Sequence, residues 1–276
     1  MLSPKEILQK TSDNGVAKSL RSFVSLFVLG VLAGVYIAFA SEASSMAAFN
    51  LLAESSTFGL GRCLAGAIFP GGLMLVVLAG GELFTGNTMM LLPFAAGRIS
   101  LFRLLRNWLI VYAGNFVGSF FVAYLIFCSG QLGSGANMLG AVTIKIAAAK
   151  CHLTFIEAFS LGILCNWLVC LAVWMAAGTN NAIGKIFAIF FPIWLFITSG
   201  FEHSVANMYY ISAGLLAKTN FVWLGAAARI TPLELIESLT WTNFFWANLL
   251  PVTLGNIVGG GLFVAIAYYI AYSKKQ

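Results

Sequence analysis

Two stretches of this chain combine residue types that could do chemistry with surroundings that make such residues expensive. Gly200-Phe201-Glu202-His203-Ser204-Val205-Ala206-Asn207 sets an acid, an imidazole, a hydroxyl and an amide inside an otherwise apolar run. Residues 187–200, just upstream, read FAIFFPIWLFITSG, and MYYISAGLLA follows. Gly81-Glu82-Leu83-Phe84-Thr85-Gly86-Asn87 interrupts a second long apolar segment in the same way. Ionisable groups at membrane depth mark a site by default. His203 can take or give a proton near neutral pH, and Thr85 can offer a hydroxyl to a passing solute. Where a helix breaks, backbone N–H groups must find partners in side chains, water or solute. Glu82 and Glu202 are suited to cap those amides, and Asn87 and Asn207 to brace the breaks. His152 lies in a polar approach segment and reads as an ordinary side chain.

The elements that must position these residues are membrane helices. The chain has 276 residues, of which 60% are hydrophobic and 9% charged. Its mean hydropathy is +0.93. A soluble domain carries about a quarter charged residues, so this is an integral membrane protein. Apolar residues come in long runs without alternation, which excludes a transmembrane β-barrel. With 28 glycines against 6 prolines, close helix packing through small residues is expected. Cys63, Cys128, Cys151, Cys165 and Cys170 show no CxxC spacing and read as small core residues, so no metal or other cofactor is expected.

Residues 1–22 read as an interfacial segment and carry no pattern of a cleavable signal peptide. Lys5, Lys10, Lys18 and Arg21 alternate there with Ile7, Leu8, Val16 and Leu20. Span one is expected at 23–40, about 27 Å of helix, followed by a polar segment with Glu42 and Glu54. Span two starts near Arg62, breaks at GELFTGN and resumes over 88–96. A basic loop with Arg98, Arg103 and Arg106 leads to span three, about 107–128. Lys145 and Lys150 lie in the approach to span four, about 154–177. Span five breaks at GFEHSVAN, span six covers about 245–272, and residues 273–276 form a tail.

Six spans put both termini on one side of the membrane. Taking that side as cytoplasmic places ten basic residues inside and five outside, in line with the positive-inside rule. The inner ten are Lys5, Lys10, Lys18, Arg21, Arg98, Arg103, Arg106, Lys185, Lys274 and Lys275; the outer five are Arg62, Lys145, Lys150, Lys218 and Arg229. A repeat is also legible. Asn107 precedes Gly114-Asn115 in GNFVGS, as Asn248 precedes Gly255-Asn256 in GNIVGG. The broken spans, two and five, each stand one span ahead of that signature. Repeats over about 23–128 and 154–272, three spans each, must be inverted in the membrane. Inverted repeats with broken helices at the midplane are a transport architecture. The reading is a single all-α domain over 23–272 with six transmembrane helices.

GELFTGN, GNFVGS, GNIVGG, LGILCNWLVCLAVWM (161–175) and SGFEHSVANM (199–208) together resemble the formate/nitrite transporter family, almost from end to end. The resemblance implies an aquaporin-like six-helix protomer in a homopentamer in the inner (plasma) membrane, with one anion pathway per protomer. It implies a constriction at Leu83 and Phe84, with Val169 nearby, on the cytoplasmic side. A second is implied at Phe69, Leu73 and Phe196 on the outer side. Thr85 and His203 would face the chamber between them, Asn166 would line it, and Lys150 would lend positive potential to the outer vestibule. The cargo would be a small monovalent anion of a weak acid: formate, nitrite or hydrosulfide. TGNTMM leans towards nitrite-type members, whereas KCHLTFIEAFSLGILCNW resembles formate-type ones, and formate is favoured. His203 could donate a proton so that a neutral acid crosses the oily rings; alternatively the half-helix ends could stabilise the anion directly.

The alternatives are weaker. An aquaporin-like neutral-solute channel should carry NPA at its breaks, but Thr88 follows Asn87 and Met208 follows Asn207. A hydrolase needs a nucleophile oriented by a base; adjacency of His203 and Ser204 does not provide that, and no GxSxG is present. Lipid is the expected surrounding partner, and no nucleic-acid partner is expected.

Overall fold

The computed structural model describes residues 1–273, and every regular element in them is helical. Lys274 and Lys275, counted above with the inner basic residues, lie outside the described residues. Helix α1 (Pro4–Ser19) opens with proline in its first turn and a reciprocal Ser3–Glu6 capping box. Helix α2 (Phe23–Ala53) is capped by Ser22. The next span, α3 (Ser55–Gly80), ends where Gly80 turns to φ +95°, a conformation open to glycine. Three extended residues follow, and the chain resumes helically over 84–95 as α4. Helix α5 (Leu101–Ser129) completes the first half.

The second half repeats this order. Helix α6 (Met138–Cys151) leads through three residues to α7 (Phe155–Ala177), which Thr154 caps. The second broken span is α8 (Ala182–Ser199), stopped by Gly200 at φ +80°, then α9 (Ser204–Ala217). Short helices α10 (Phe221–Ala227) and α11 (Leu233–Ser238) lead to the last span, α12 (Trp241–Ser273). Six of these, namely α2, α3, α5, α7, α8 and α12, are long and apolar enough to cross a membrane. The inverted repeat shows in the packing. Helix α2 lies against α5 as α7 lies against α12. An added Cβ on Gly118 would stand 2.1 Å from the Val31 carbonyl oxygen, and one on Gly259 2.2 Å from that of Ile163. The glycines of the two GN signatures are therefore points where backbones meet without room for a side chain.

Several boundaries differ from the sequence reading, each for a physical reason. Helix α2 continues to Ala53, so Glu42 is not in a polar loop; it is buried and accepts a hydrogen bond from the Tyr209 hydroxyl. Arg103 and Arg106 belong to the first turns of α5, which begins at its Ser100 cap. The approach segment with Lys145 and Lys150 is helix α6, largely buried among α2, α9 and α10. Its apolar residues run all round, and that pattern has no amphipathic period to read. The second arm of the first broken span starts at Phe84, four residues before the expected Thr88.

Candidate permeation pathway

At each break the same set of groups recurs. Glu82 donates its backbone N–H to the Leu29 carbonyl, and Glu202 to that of Leu161. The Phe84 N–H is accepted by Asn115 Oδ1 and the Ser204 N–H by Asn256 Oδ1, both at 2.9 Å. Asn115 Nδ2 donates to the Gly30 and Glu82 carbonyls, as Asn256 Nδ2 does to those of Gly162 and Glu202. The freed amides are thus met by the asparagines of the GN signatures, not by the glutamates expected to cap them. Each asparagine is fully buried and spends both ends of its amide on the break.

The glutamates hold cations and amides instead. Glu202 accepts from Lys150 Nζ at 2.6 Å and from Asn207 Nδ2 at 2.6 Å, and Asn207 also donates to Asn248. Glu82 accepts from Lys18 Nζ at 3.1 Å and from Asn87 Nδ2 at 2.8 Å, and Asn87 also donates to Asn107. Asn107 and Asn248 in turn donate to the backbone carbonyls of Lys18 and Lys150. Sequence reading had Glu82, Asn87, Glu202, Asn207 and Lys150 but missed Lys18 as the counterpart of Lys150. A signal existed: KSLRSF (18–23) and KCHLTF (150–155) set lysine at equal distance from the capping hydroxyl.

Between the two breaks stand Thr85 and His203, with Thr85 Oγ1 2.9 Å from His203 Nε2. His203 Nδ1 accepts the Ala206 N–H, capping α9. That bond leaves Nδ1 bare, so the neutral ring carries its proton on Nε2 and donates it to Thr85 Oγ1. The Thr85 hydrogen is then free to be given elsewhere. Beside this pair, Asn166 Nδ2 donates to the Thr85 carbonyl, to Thr88 Oγ1 and to the Asn256 carbonyl. Asn166 therefore ties three elements to one another at the centre. An added Cβ on Gly260 would meet Thr88, Asn166 and Cys170 within 2.5 Å, so α12 closes on this knot through glycine.

A cavity approaches the centre from each face. On the face bearing the N-terminus, about 350 Å³ are lined by Lys10, Lys18, Arg21, Lys185, Glu82 and Leu83, among others. On the opposite face a smaller cavity of about 60 Å³ is lined by Arg62, Lys150, Glu202, His203 and Phe196. Phe196 meets Phe69 edge to face at 5.6 Å and lies over the His203 ring at 6.0 Å. Leu73, expected in the outer constriction with Phe69 and Phe196, instead lines the larger cavity on the N-terminal face together with Leu83. Phe84 packs edge-on against Trp108 and Tyr112, and Val169 is buried. One further pair lines the far cavity, Arg62 with the Ile197 carbonyl, while Glu42 and Tyr209 pair in the interior.

Broken helices from two inverted halves, meeting at a polar centre between two cavities, define a membrane channel or transporter. The family model described as Formate/nitrite transporter matches residues 5–270. The chain belongs to that family; it is a multi-pass membrane protein and not an enzyme. It is 41% identical to a probable formate transporter of Methanothermobacter thermautotrophicus, covering 99% of this chain and 98% of the relative. It is 37% identical to the formate channel FocA of Escherichia coli (strain K12), over 100% of this chain and 96% of that one. Among solved structures, it resembles a pentameric formate channel with formate bound at TM-score 0.82 and 36% identity, covering 91% of this chain and 98% of that chain. An FNT family ion channel resembles it at TM-score 0.78 and 32% identity, with 96% and 98% covered.

Proposed function

We propose that the chain forms a homopentameric channel, each protomer passing a small monovalent anion of a weak acid, with formate the favoured cargo over nitrite and hydrosulfide. It would lie in the inner membrane with both termini cytoplasmic, the orientation the basic residues favour. The observation that carries the reading is the Thr85–His203 pair, set between a basic cavity and a small one behind Phe69 and Phe196. A bare anion loses much free energy when it sheds water at an apolar ring. A hydroxyl hydrogen offered from a fixed position replaces part of that hydration. His203 fixes it, because its Nε2–H holds the Thr85 oxygen as acceptor and turns the hydroxyl hydrogen outwards. Handing over that ring proton would leave an imidazolate, so the neutral ring serves as a hydrogen-bond donor. A travelling proton is then one the anion takes up from vestibule water.

Stopped-flow fluxes in proteoliposomes test this. Formate should pass fastest, nitrite and hydrosulfide measurably, and glycerol at the rate of empty vesicles. Glycerol flux without formate flux would replace the reading by the neutral-solute one. His203→Phe should lower formate flux at least about tenfold, whereas His203→Gln, which keeps a donor, should retain part of it. Unchanged flux and pH profile in His203→Phe would remove the histidine from the mechanism.

A further inference from the structure

On the face away from the N-terminus, the lysine that family resemblance makes the source of positive potential is already spoken for. Lys150 Nζ lies 2.6 Å from Glu202 Oε1, and that pair is electrically neutral seen from the cavity. Two further basic residues on this face are spent on helix ends. Lys145 donates to the Leu52 and Ala53 carbonyls, and Lys218 to those of Ile236 and Leu239. Arg229 lines a separate cavity with Glu54. Arg62 is different. It lines the same 60 Å³ cavity as His203, Phe196 and Lys150. Among the described residues no carboxylate lies within ion-pair distance of it.

We infer that Arg62 is the anion-binding residue of the far vestibule, and that it favours bent two-oxygen anions such as formate and nitrite. Among the described residues its guanidinium makes one hydrogen bond, to the Ile197 carbonyl. A guanidinium has five N–H donors in a planar fork, so the remainder are open to a ligand. Ile197 stands in the last turn of α8, at the negative end of the helix dipole, and its carbonyl accepts the Gly200 N–H as well as the Arg62 guanidinium. Arg62 covers that end, which would otherwise face and repel an arriving anion. With Arg62 the charged lining sums to +1, from Arg62 and Lys150 against Glu202; without it the sum is zero. The fork matches two oxygens on one atom, whereas a single-centre anion such as hydrosulfide can use only the charge.

The inference rests on the anion-channel reading, and the two fail separately. Full-length protein in proteoliposomes is compared with Arg62→Gln and Arg62→Lys, each shown by size exclusion to keep its oligomeric size. Wild type that passes no formate, nitrite or hydrosulfide overturns the channel reading itself. Given wild-type flux, Arg62→Gln should raise the half-saturating concentration of all three anions about three- to tenfold. It should also flatten the dependence of flux on ionic strength, a readout that mere capping of α8 would not move. Arg62→Lys keeps the charge and loses the fork. It should raise the value for formate and nitrite while leaving hydrosulfide within about twofold of wild type. Should Arg62→Gln fail to assemble, the formate-to-hydrosulfide ratio in Arg62→Lys decides alone. Unchanged half-saturation and salt dependence, or equal shifts for all anions in Arg62→Lys, overturns the proposal.

Discussion

Replacing Lys150 by methionine would leave the Glu202 carboxylate buried with Asn207 and Asn248 and no cation. Removing one partner of a buried pair destabilises by about 3–5 kcal/mol, because the charge left behind is uncompensated. The expected result is a marked fall in the unfolding temperature of the purified protein. Most of it should return in Lys150→Met combined with Glu202→Gln, since the neutral amide needs no cation. A double-mutant cycle reads the coupling directly. The same logic applies to Asn256, which satisfies the Ser204 N–H and two carbonyls at once. Asn256→Ala orphans the Ser204 N–H, worth about 1–3 kcal/mol when buried, and takes one donor from each of the Gly162 and Glu202 carbonyls.

At the scale of elements, the two halves are held by pairs of helices whose backbones nearly touch. Gly118 of α5 and Gly259 of α12 each leave no room for a Cβ beside a backbone carbonyl. A carbonyl in a helix cannot swing aside as a flexible side chain does. Gly118→Val and Gly259→Val are therefore expected to push α2 from α5 and α7 from α12, with loss of folded protein in the membrane fraction. Gly86→Ala, where nothing stands within 4 Å of the added Cβ, is the control and should express normally. Gel filtration of detergent-solubilised membranes checks both.

For the whole molecule, α1 is not a span; it is docked by Ile7 and Leu8, buried in a cluster with Leu92 and Trp174, and by polar contacts. Arg98 Nη2 lies 2.7 Å from Asp13, Arg98 Nη1 donates to Ser12, and Lys10 donates to the Ala177 carbonyl. The hydrogen bond from Arg98 lowers the Asp13 carboxyl below its ordinary value, helped by a second from Gln9. A carboxyl depressed in the folded state adds stability above its ordinary value of about 4, and loses it as pH falls through the depressed one. The pair is largely exposed, so its contribution is small. Hydrogen exchange over residues 4–19 should therefore rise modestly below about pH 4 relative to α5, once corrected for intrinsic rates. Asp13→Asn should show that faster exchange already at neutral pH.

What sequence alone determined follows from local chemistry. Long apolar runs dictate spans; glycine followed by a glutamate inside such a run dictates a break; two GN signatures dictate a repeat. Glu82, Thr85, Asn87, Glu202, His203 and Asn207 were legible because polar residues in hydrocarbon have no innocent reason to be there. Tertiary structure alone decided which groups meet. It gave the freed amides to Asn115 and Asn256, joined Thr85 to His203 across the halves, and buried Glu42 against Tyr209. It also made Lys18 the twin of Lys150 and neutralised Lys150 with Glu202, leaving Arg62 as a charge without a carboxylate partner among the described residues. Partners in a hydrogen bond or an ion pair are chosen by distance in space, and that distance exists only after helices far apart in the chain have packed together.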